Sequence, residues 1–282
     1  MSQELHEDNH ENYQTIHVDG KLLGALPKKE DPRTLKLKNF LDTPQSPPRS
    51  YDFEMKDGIG PDLRYALPFE PFRGQQWGSC TISSQAEYIR RRVRGTNFGS
   101  DLYIDDTTVN RRYFKLAGDP TWDSDSGNPQ FDTGLYELDA LNDLVKNGFT
   151  FGEWQYTIAG YAEIDIKDLD HLRMAIATFG GIKVCIDVPM NLYHSNPDEV
   201  VPYVSGSQSV GGHSMYWNAY DESTFTMVHT WNRKRQRVTT ELASHIITEG
   251  YSLIDSKDIR VASVIDLGAF KEAVREVINT PI

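Results

Sequence analysis

The chain has 282 residues, of which 38% are hydrophobic and 25% are charged, a composition typical of an ordinary globular protein. Its net charge of −12 argues against a general affinity for nucleic acid or an anionic membrane, because binding to phosphate groups needs a basic surface. No apolar run approaches the roughly 18 residues that a membrane span requires. The N-terminus is acidic and polar, so we expect no secretory signal peptide.

The first 75 residues predict little regular structure. Residues 1–20 form an acidic, polar arm, and residues 21–75 are rich in proline, which disfavours long helices and strands. We expect residues 21–75 to wrap in extended form around a body formed by residues 76–282. Because so polar an arm has little apolar surface to offset the entropy of ordering it, we expect residues 1–20 to contact a partner chain.

Periodicity in the body predicts helices first and strands later. Helical spacing of apolar residues predicts helices over residues 80–94, 138–147 and 168–178, and apolar runs predict strands over 182–188, 214–220, 225–231 and 251–254, with a helix over 243–248. Arginines crowd the end of the first helix, where we expect a solvated helix end rather than a nucleic-acid contact. This order of elements indicates an α+β fold.

The two cysteines of the chain, Cys80 and Cys185, favour a reducing compartment, because a secreted domain of this size commonly carries several disulfides. Cys185 lies in an apolar run that predicts a buried strand, so we expect it to be a small core residue. The expected location is the cytoplasm or a particle assembled there, such as a virion.

Cys80 has the setting of a nucleophile. A cysteine nucleophile needs a base that takes its proton and surroundings that stabilise the thiolate. Cys80 begins the first predicted helix, where free N–H groups and the helix dipole favour negative charge. Gly78 permits close approach of a substrate, and His213 follows two glycines at the start of a strand, where it can act as the base. We therefore expect the pKa of Cys80 to be well below that of an ordinary thiol.

Three motifs resemble those of papain-like cysteine peptidases, especially the bacterial branch. Gly-Ser-Cys-Thr at 78–81 resembles the nucleophile signature, Gly-Gly-His-Ser at 211–214 resembles the histidine strand, and His-Thr-Trp-Asn at 229–232 resembles the Asn-Ser-Trp-Gly turn. The spacing of 16 from His213 to His229 is also the spacing in the family. The resemblance covers about residues 22–255. It implies a helical half bearing Cys80 and a strand-rich half bearing His213, with a cleft between them.

The resemblance also implies roles for other residues. Gly78 and Gly134 would line the substrate cleft, and Trp231 would shield the catalytic residues from water. The oxyanion glutamine of the family is Gly74 here, so Gln75 would serve only after a one-residue shift; otherwise backbone N–H groups, including that of Cys80, remain. His229 replaces the asparagine that orients the catalytic histidine. It either takes that role or is a strand histidine without one.

Two functions remain open at this point. The first is a peptidase that hydrolyses peptide or protein substrates through a Cys80 thioester, without a cofactor or metal, since no ligand spacing indicates a metal site. The second is a catalytically impaired subunit of a larger assembly, such as a phage virion, because the oxyanion glutamine and the orienting asparagine are both replaced. Residues 22–75 resemble the lead-in of mature bacterial members, so we expect no inhibitory propeptide there.

Overall fold

The structure is a computed structural model that describes residues 16–18, 21–41, 46–56, 77–95, 104–122, 129–196, 198–228, 235–255 and 263–279. Its helices are α1 (Phe53–Lys56), α2 (Cys80–Gly95), α3 (Asp106–Ala117), α4 (Glu137–Asn147), α5 (Leu169–Phe179), α6 (Met190–Tyr193), α7 (Thr240–Ile246) and α8 (Leu267–Asn279). Short 3-10 turns occur at Leu37–Asn39 and Pro129–Phe131. Within the ranges given, no helix is long and apolar enough to cross a membrane.

The strands are β1 (Ile16–Val18), β2 (Lys21–Leu23), β3 (Tyr51–Asp52), β4 (Phe149–Phe151), β5 (Trp154–Tyr156), β6 (Gly160–Glu163), β7 (Ile182–Pro189), β8 (Val200–Val201), β9 (Ser209–Tyr220), β10 (Thr224–Val228), β11 (Arg235–Thr239) and β12 (Ile247–Ile254). The main sheet has the order β6-β12-β7-β9-β10-β11-β8, and β3 pairs with β9 beside this path. Its described pairings are antiparallel except that of β8 with β11.

The long central strand β9 separates two hydrophobic cores. Side chains alternate between the faces of a strand, so Tyr216 belongs to the core that includes residues of α2, α3 and α4, whereas Trp217 belongs to the core that includes residues of α5 and α7. The helical half, which carries α2, therefore covers one face of the sheet. The predicted α+β fold is confirmed.

Local signals account for the helix boundaries. In α2 the predicted stripe of Ile82, Ala86, Ile89 and Val93 is buried. Helix α5 begins after Asp168, whose carboxylate accepts from the N–H groups of the first turn, and it ends at Gly180 in the left-handed conformation. The helix predicted over 243–248 instead begins at Thr240 and ends at Ile246, because Thr239 provides its N-terminal cap. The prediction did not include α3 or α8.

The prediction of a solvated end for α2 is wrong for three of its arginines. Arg90, Arg91 and Arg92 are buried. Arg91 donates to Glu54 at 2.9 Å and also to Glu87, so the cationic side chains are compensated inside the protein rather than by water. Glu54 lies far upstream in the chain, which is why helix periodicity alone gave no sign of this burial.

Candidate active site

Cys80 is the first residue of α2, as the sequence predicts, and only 5% of it is exposed. The carbonyl of Ser79 accepts from the N–H groups of Ile82 and Ser83, at 3.0 and 2.9 Å, and so closes the first turn. The N–H of Cys80 lies in the first turn, before the N–H groups that form these bonds, and N–H groups at that position have no acceptor within the helix. The thiol and this N–H are therefore presented together at a helix N-terminus.

The strand that carries His213 contacts the thiol. The backbone N–H of Ser214 donates to Cys80 Sγ at 3.5 Å. His213 is fully buried and pairs with Ile186 of β7. The structure thus brings the peptide unit that links His213 to Ser214 against the predicted nucleophile.

A buried polar cluster formed by Lys183, Glu137, Ser84 and Ser214 joins the first turn of α2 to the sheet. The Lys183 ammonium lies 3.0 Å from a Glu137 oxygen, and both side chains are fully buried. It also donates to the Thr81 carbonyl at 2.8 Å, to Ser214 Oγ at 3.0 Å and to Ser84 Oγ. Glu137 in turn accepts from Ser214 Oγ at 2.7 Å. The cluster connects residues that flank the thiol on both the helix and the strand.

Sequence analysis missed this cluster, although a signal was present. Lys183 interrupts the apolar run that forms β7, and a charged residue in a fully buried strand requires a partner of opposite charge. The partner, Glu137, comes from a helix 46 residues earlier in the chain. Spacing along the sequence does not connect the two.

A second hydrogen-bond network joins the two predicted cleft glycines. The Gly78 N–H donates to Asp132 at 2.7 Å, and the Tyr113 hydroxyl donates to the same oxygen at 2.6 Å. The Gly134 N–H donates to the Tyr113 hydroxyl at 3.0 Å. Asp132 and Tyr113 are buried. The backbone just before Cys80 is therefore fixed relative to the opposite wall of the cleft.

A stretch of the chain itself, residues 23–28 (the cleft segment), lines a cavity of about 440 Å³ together with Gly134, Gly212 and Cys185. The Ala25 N–H donates to the Gly212 carbonyl at 3.2 Å, and the Leu26 N–H donates to the Leu135 carbonyl at 3.0 Å. The Leu135 N–H donates to the Gly24 carbonyl at 2.9 Å. The cleft segment therefore lies in extended form between the wall that bears Gly134 and the strand that bears His213.

Gly24 lies against Cys80. Its backbone N–H donates to the Cys80 sulfur, and a Cβ on Gly24 would lie 2.0 Å from the Gly78 oxygen. The cleft walls are equally close to the cleft segment: a Cβ on Gly134 would lie 2.6 Å from the Gly24 oxygen, and one on Gly212 would lie 2.3 Å from the Ala25 oxygen. Only glycines permit so close a backbone approach.

The electrostatics of Cys80 differ from the expectation. Burial raises the pKa of the Cys80 thiol to about 11, although the N–H groups of Ser214 and Gly24 and the Lys183 charge lower it. The prediction of a low pKa is therefore wrong for this conformation. The physical reason is that a thiolate covered by protein loses its hydration. Burial also raises the pKa of Cys185, whose sulfur lies 3.5 Å from Glu137, and its predicted burial is confirmed.

Three predicted site residues lie outside the described residues. These are Gln75, His229 and Trp231. Their roles in oxyanion stabilisation, histidine orientation and shielding stay predictions. Gly78 and Gly134 both flank the cleft segment, but their contact with a substrate also stays a prediction.

Solved structures of cysteine proteases are similar to this chain in fold. The chain is similar to xylellain, a cysteine protease from Xylella fastidiosa, with a TM-score of 0.62 over 89% of this chain and 100% of that chain, at 16% identity. It is also similar to procathepsin B of Trypanosoma congolense, with a TM-score of 0.58 over 83% of this chain and 87% of that chain, at 13% identity. Digestive procathepsin L 3 of Tenebrio molitor is similar with a TM-score of 0.56 over 81% of this chain and 76% of that chain, at 14% identity. The chain has a papain-like fold. It matches no protein-family model and no curated protein sequence, so the papain-like likeness is one of fold.

Proposed function

We propose that this chain is a cysteine peptidase in which Cys80 is the nucleophile and His213 is the general base and acid. The observation that carries the proposal is the hydrogen bond from the Ser214 N–H to Cys80 Sγ. It places the residue adjacent to His213 on a thiol at a helix N-terminus, within a papain-like fold. Peptides or proteins are the proposed substrates.

The proposed reaction has two stages. His213 takes the thiol proton, and the thiolate forms a bond to the carbonyl carbon of the peptide. The carbon–nitrogen bond then breaks, the amine leaves with the proton from His213, and a thioester to Cys80 remains. Water, deprotonated by His213, attacks the thioester; the carbon–sulfur bond breaks, and the acid product and the free thiol are released.

The helix N-terminus supports this chemistry in two ways. The N–H of Cys80 is a donor for the oxyanion that forms on the attacked carbonyl, and one such donor typically contributes about 3–4 kcal/mol to lowering the barrier. The partial positive charge at the start of α2 also stabilises the thiolate. A substrate that replaces the cleft segment would find backbone partners at Gly212 and Leu135, the groups that now bond to Ala25 and Leu26.

The test separates access to the thiol from chemistry. A Cβ on Gly24 cannot fit against Gly78, so Gly24→Ala should displace the cleft segment and open the thiol to substrate. Hydrolysis of a mixed peptide library is therefore measured in full-length protein that carries Gly24→Ala. We expect Cys80→Ser and His213→Ala each to lower kcat/KM by at least about 10³-fold. Lys167→Met is the control, because Lys167 is exposed and lies outside the cavity lining, and it should retain activity.

A peptidyl epoxide provides a second readout that needs only one turnover. It should attach to Cys80, as identified by peptide mass spectrometry, and the attachment should be lost in His213→Ala. Retained hydrolysis in Cys80→Ser would contradict the proposed nucleophile. Absence of both hydrolysis and labelling in a folded protein with an accessible thiol would favour the impaired assembly subunit instead.

A further inference from the structure

The buried cluster of Lys183, Glu137, Ser84 and Ser214 holds Cys80 at two points. The Ser84 hydroxyl donates to the Cys80 carbonyl at 2.7 Å and lies 2.9 Å from Ser214 Oγ. The backbone N–H of Ser214 in turn donates to the Cys80 sulfur at 3.5 Å. The hydrogen bonds of the cluster therefore form a closed path from the Cys80 carbonyl on the helix to the Cys80 sulfur beside the strand.

Lys183 is the residue that joins the members of this cluster. Its ammonium donates to the Thr81 carbonyl in the first turn of α2 and to the Ser214 hydroxyl of β9, at 2.8 and 3.0 Å, and it also donates to Ser84 Oγ. Each N–H group of the ammonium thus has an oxygen acceptor, and the Glu137 carboxylate, 3.0 Å away, compensates its charge. The ammonium therefore ties the start of α2 to β9.

The ion pair does more than hold two elements together. Both of its side chains are fully buried, and apolar side chains of similar volume commonly stabilise a core as well as such a pair does. Burial has the largest effect on the pKa of the Cys80 thiol and raises it, whereas the Lys183 charge lowers this pKa and the Glu137 charge raises it. The two charges therefore act on the thiol in opposite directions.

We propose that Lys183 and Glu137 are positioning residues of the Cys80 site, whose ion pair holds the thiol against β9 and whose ammonium favours the thiolate. Because both side chains are fully buried, they act through Ser84 and Ser214 and not on a substrate. This inference rests on the proposed peptidase function for its role in catalysis. Its physical content is the ionisation of the thiol, which alkylation measures without turnover.

Other titratable groups also face the ion pair. Cys185 of β7 donates to Glu137 at 3.5 Å, and Glu249 of β12 pairs with Cys185 in the sheet. Burial, and after it the Glu137 charge, raises the pKa of Glu249 to about 7, whereas the charge of Lys28 lowers it. His213 lies on β9. Each variant described below is therefore also measured together with Glu249→Gln, which removes the titration near pH 7.

The first test measures how the rate at which iodoacetamide alkylates Cys80 depends on pH. Full-length protein that carries Gly24→Ala is used, so that the thiol is open, and mass spectrometry distinguishes Cys80 from Cys185. Lys183→Met removes a cation beside the thiol and should move the midpoint of the profile to higher pH by at least about half a unit. Glu137→Gln removes an anion and should move the midpoint to lower pH. The midpoint of the double variant should lie between those of the single variants.

Arg112→Met and Asp143→Asn are the matched controls. These two residues form another mostly buried ion pair, and within the described part of the chain the further polar contacts of Arg112 are with the Gly148 carbonyl and the Phe149 ring. Both controls should leave the midpoint within about 0.2 pH unit. Opposite shifts in the two cluster variants would therefore report charge, because a general loss of structure would move both midpoints in the same direction. Circular dichroism confirms that each variant is folded.

A second test examines the positioning role with both charges in place. Ser84→Ala removes the hydroxyl that donates to the Cys80 carbonyl. For a peptide selected from the library, kcat should fall by roughly five- to tenfold at unchanged KM, because alignment is lost but binding is not. Ser244→Ala is the control and should leave kcat unchanged, because this exposed hydroxyl also donates to a carbonyl one turn earlier in a helix, at 2.7 Å.

The outcomes separate this inference from the proposed peptidase. Equal midpoints in folded Lys183→Met and Glu137→Gln, or shifts in the same direction, would overturn the role of the charges. An unchanged kcat in Ser84→Ala would overturn the positioning role, and this variant decides where a charge variant does not fold. Opposite midpoint shifts without hydrolysis in any variant would support the ion pair and contradict the peptidase. Hydrolysis with one pH profile in all variants would do the reverse.

Discussion

Replacing Lys183 with methionine tests the buried polar cluster. The Lys183 ammonium lies 3.0 Å from Glu137, and both groups are fully buried. In Lys183→Met the carboxylate of Glu137 would remain buried without its cation, and the Thr81 carbonyl and two serine hydroxyls would lose a donor. We expect the variant to be strongly destabilised.

The magnitude follows from the distance. At an effective dielectric constant of about 20, two unit charges 3.0 Å apart attract by roughly 5–6 kcal/mol. In the intact protein, the cost of desolvating both charges opposes much of this attraction. In the variant, the remaining charge still bears its own desolvation cost but has no partner to offset it. Removal of one partner of a buried pair costs about 3–5 kcal/mol, and we expect a loss in this range.

Urea unfolding followed by tryptophan fluorescence measures the loss as a difference in free energy. Lys167→Met is the matched control, because Lys167 is exposed and its replacement should change the free energy of unfolding by less than about 0.5 kcal/mol. The double variant Lys183→Met, Glu137→Gln removes both charges and should recover part of the loss.

Two results would refute this reasoning. A loss below about 1 kcal/mol in Lys183→Met would mean that Glu137 is neutral or hydrated in the folded protein. If the double variant lost more free energy of unfolding than the two single variants together, the serine and carbonyl contacts, not the charge pair, would dominate the cluster.

Three further predictions concern buried groups away from the thiol. Burial is the main cause, and the nearby Glu137 carboxylate the second, that raises the pKa of Glu249 from 4.5 to about 7. The free energy of unfolding should therefore fall by about 3 kcal/mol between pH 4.5 and pH 7. Glu249→Gln should abolish this fall, as measured by urea unfolding at each pH. Arg91→Met should cost about 3–5 kcal/mol in the same assay, because Arg91 is buried against carboxylates. Gly181→Ala should lower the melting temperature by roughly 4–8 °C, because φ is +140° and the Cβ would lie 2.3 Å from Tyr216.

The sign for Glu249 follows from proton binding. Between pH 4.5 and 7 the folded chain retains a proton that the unfolded chain has released, so the stabilisation is complete below pH 4.5 and is lost as the pH rises to about 7. Stability that rises over this interval would contradict the raised pKa. A loss of less than about 0.5 kcal/mol in the free energy of unfolding of Arg91→Met would instead support the prediction that the end of α2 is solvated.

Short-range patterns in the sequence were sufficient to predict the elements that bear Cys80 and His213. The apolar stripe of α2 and the glycines before His213 depend on neighbours within a few residues, and they predicted a helix that begins at Cys80 and a strand that contains His213. The three spaced motifs then predicted the papain-like fold, which the similar solved structures confirm. These features are local or are ordered along the chain, so the sequence by itself determined them.

Only the tertiary structure decided what surrounds the thiol. Backbone groups of residues far apart in the chain place Gly24 over Cys80, and backbone hydrogen bonds leave no side-chain pattern in the sequence. The same applies to Lys183 and Glu137, and to Arg91 and Glu54, because opposite charges recognise one another through space. The pKa of Cys80 is raised for this reason: desolvation by the folded chain outweighs the helix N-terminus and the Lys183 charge.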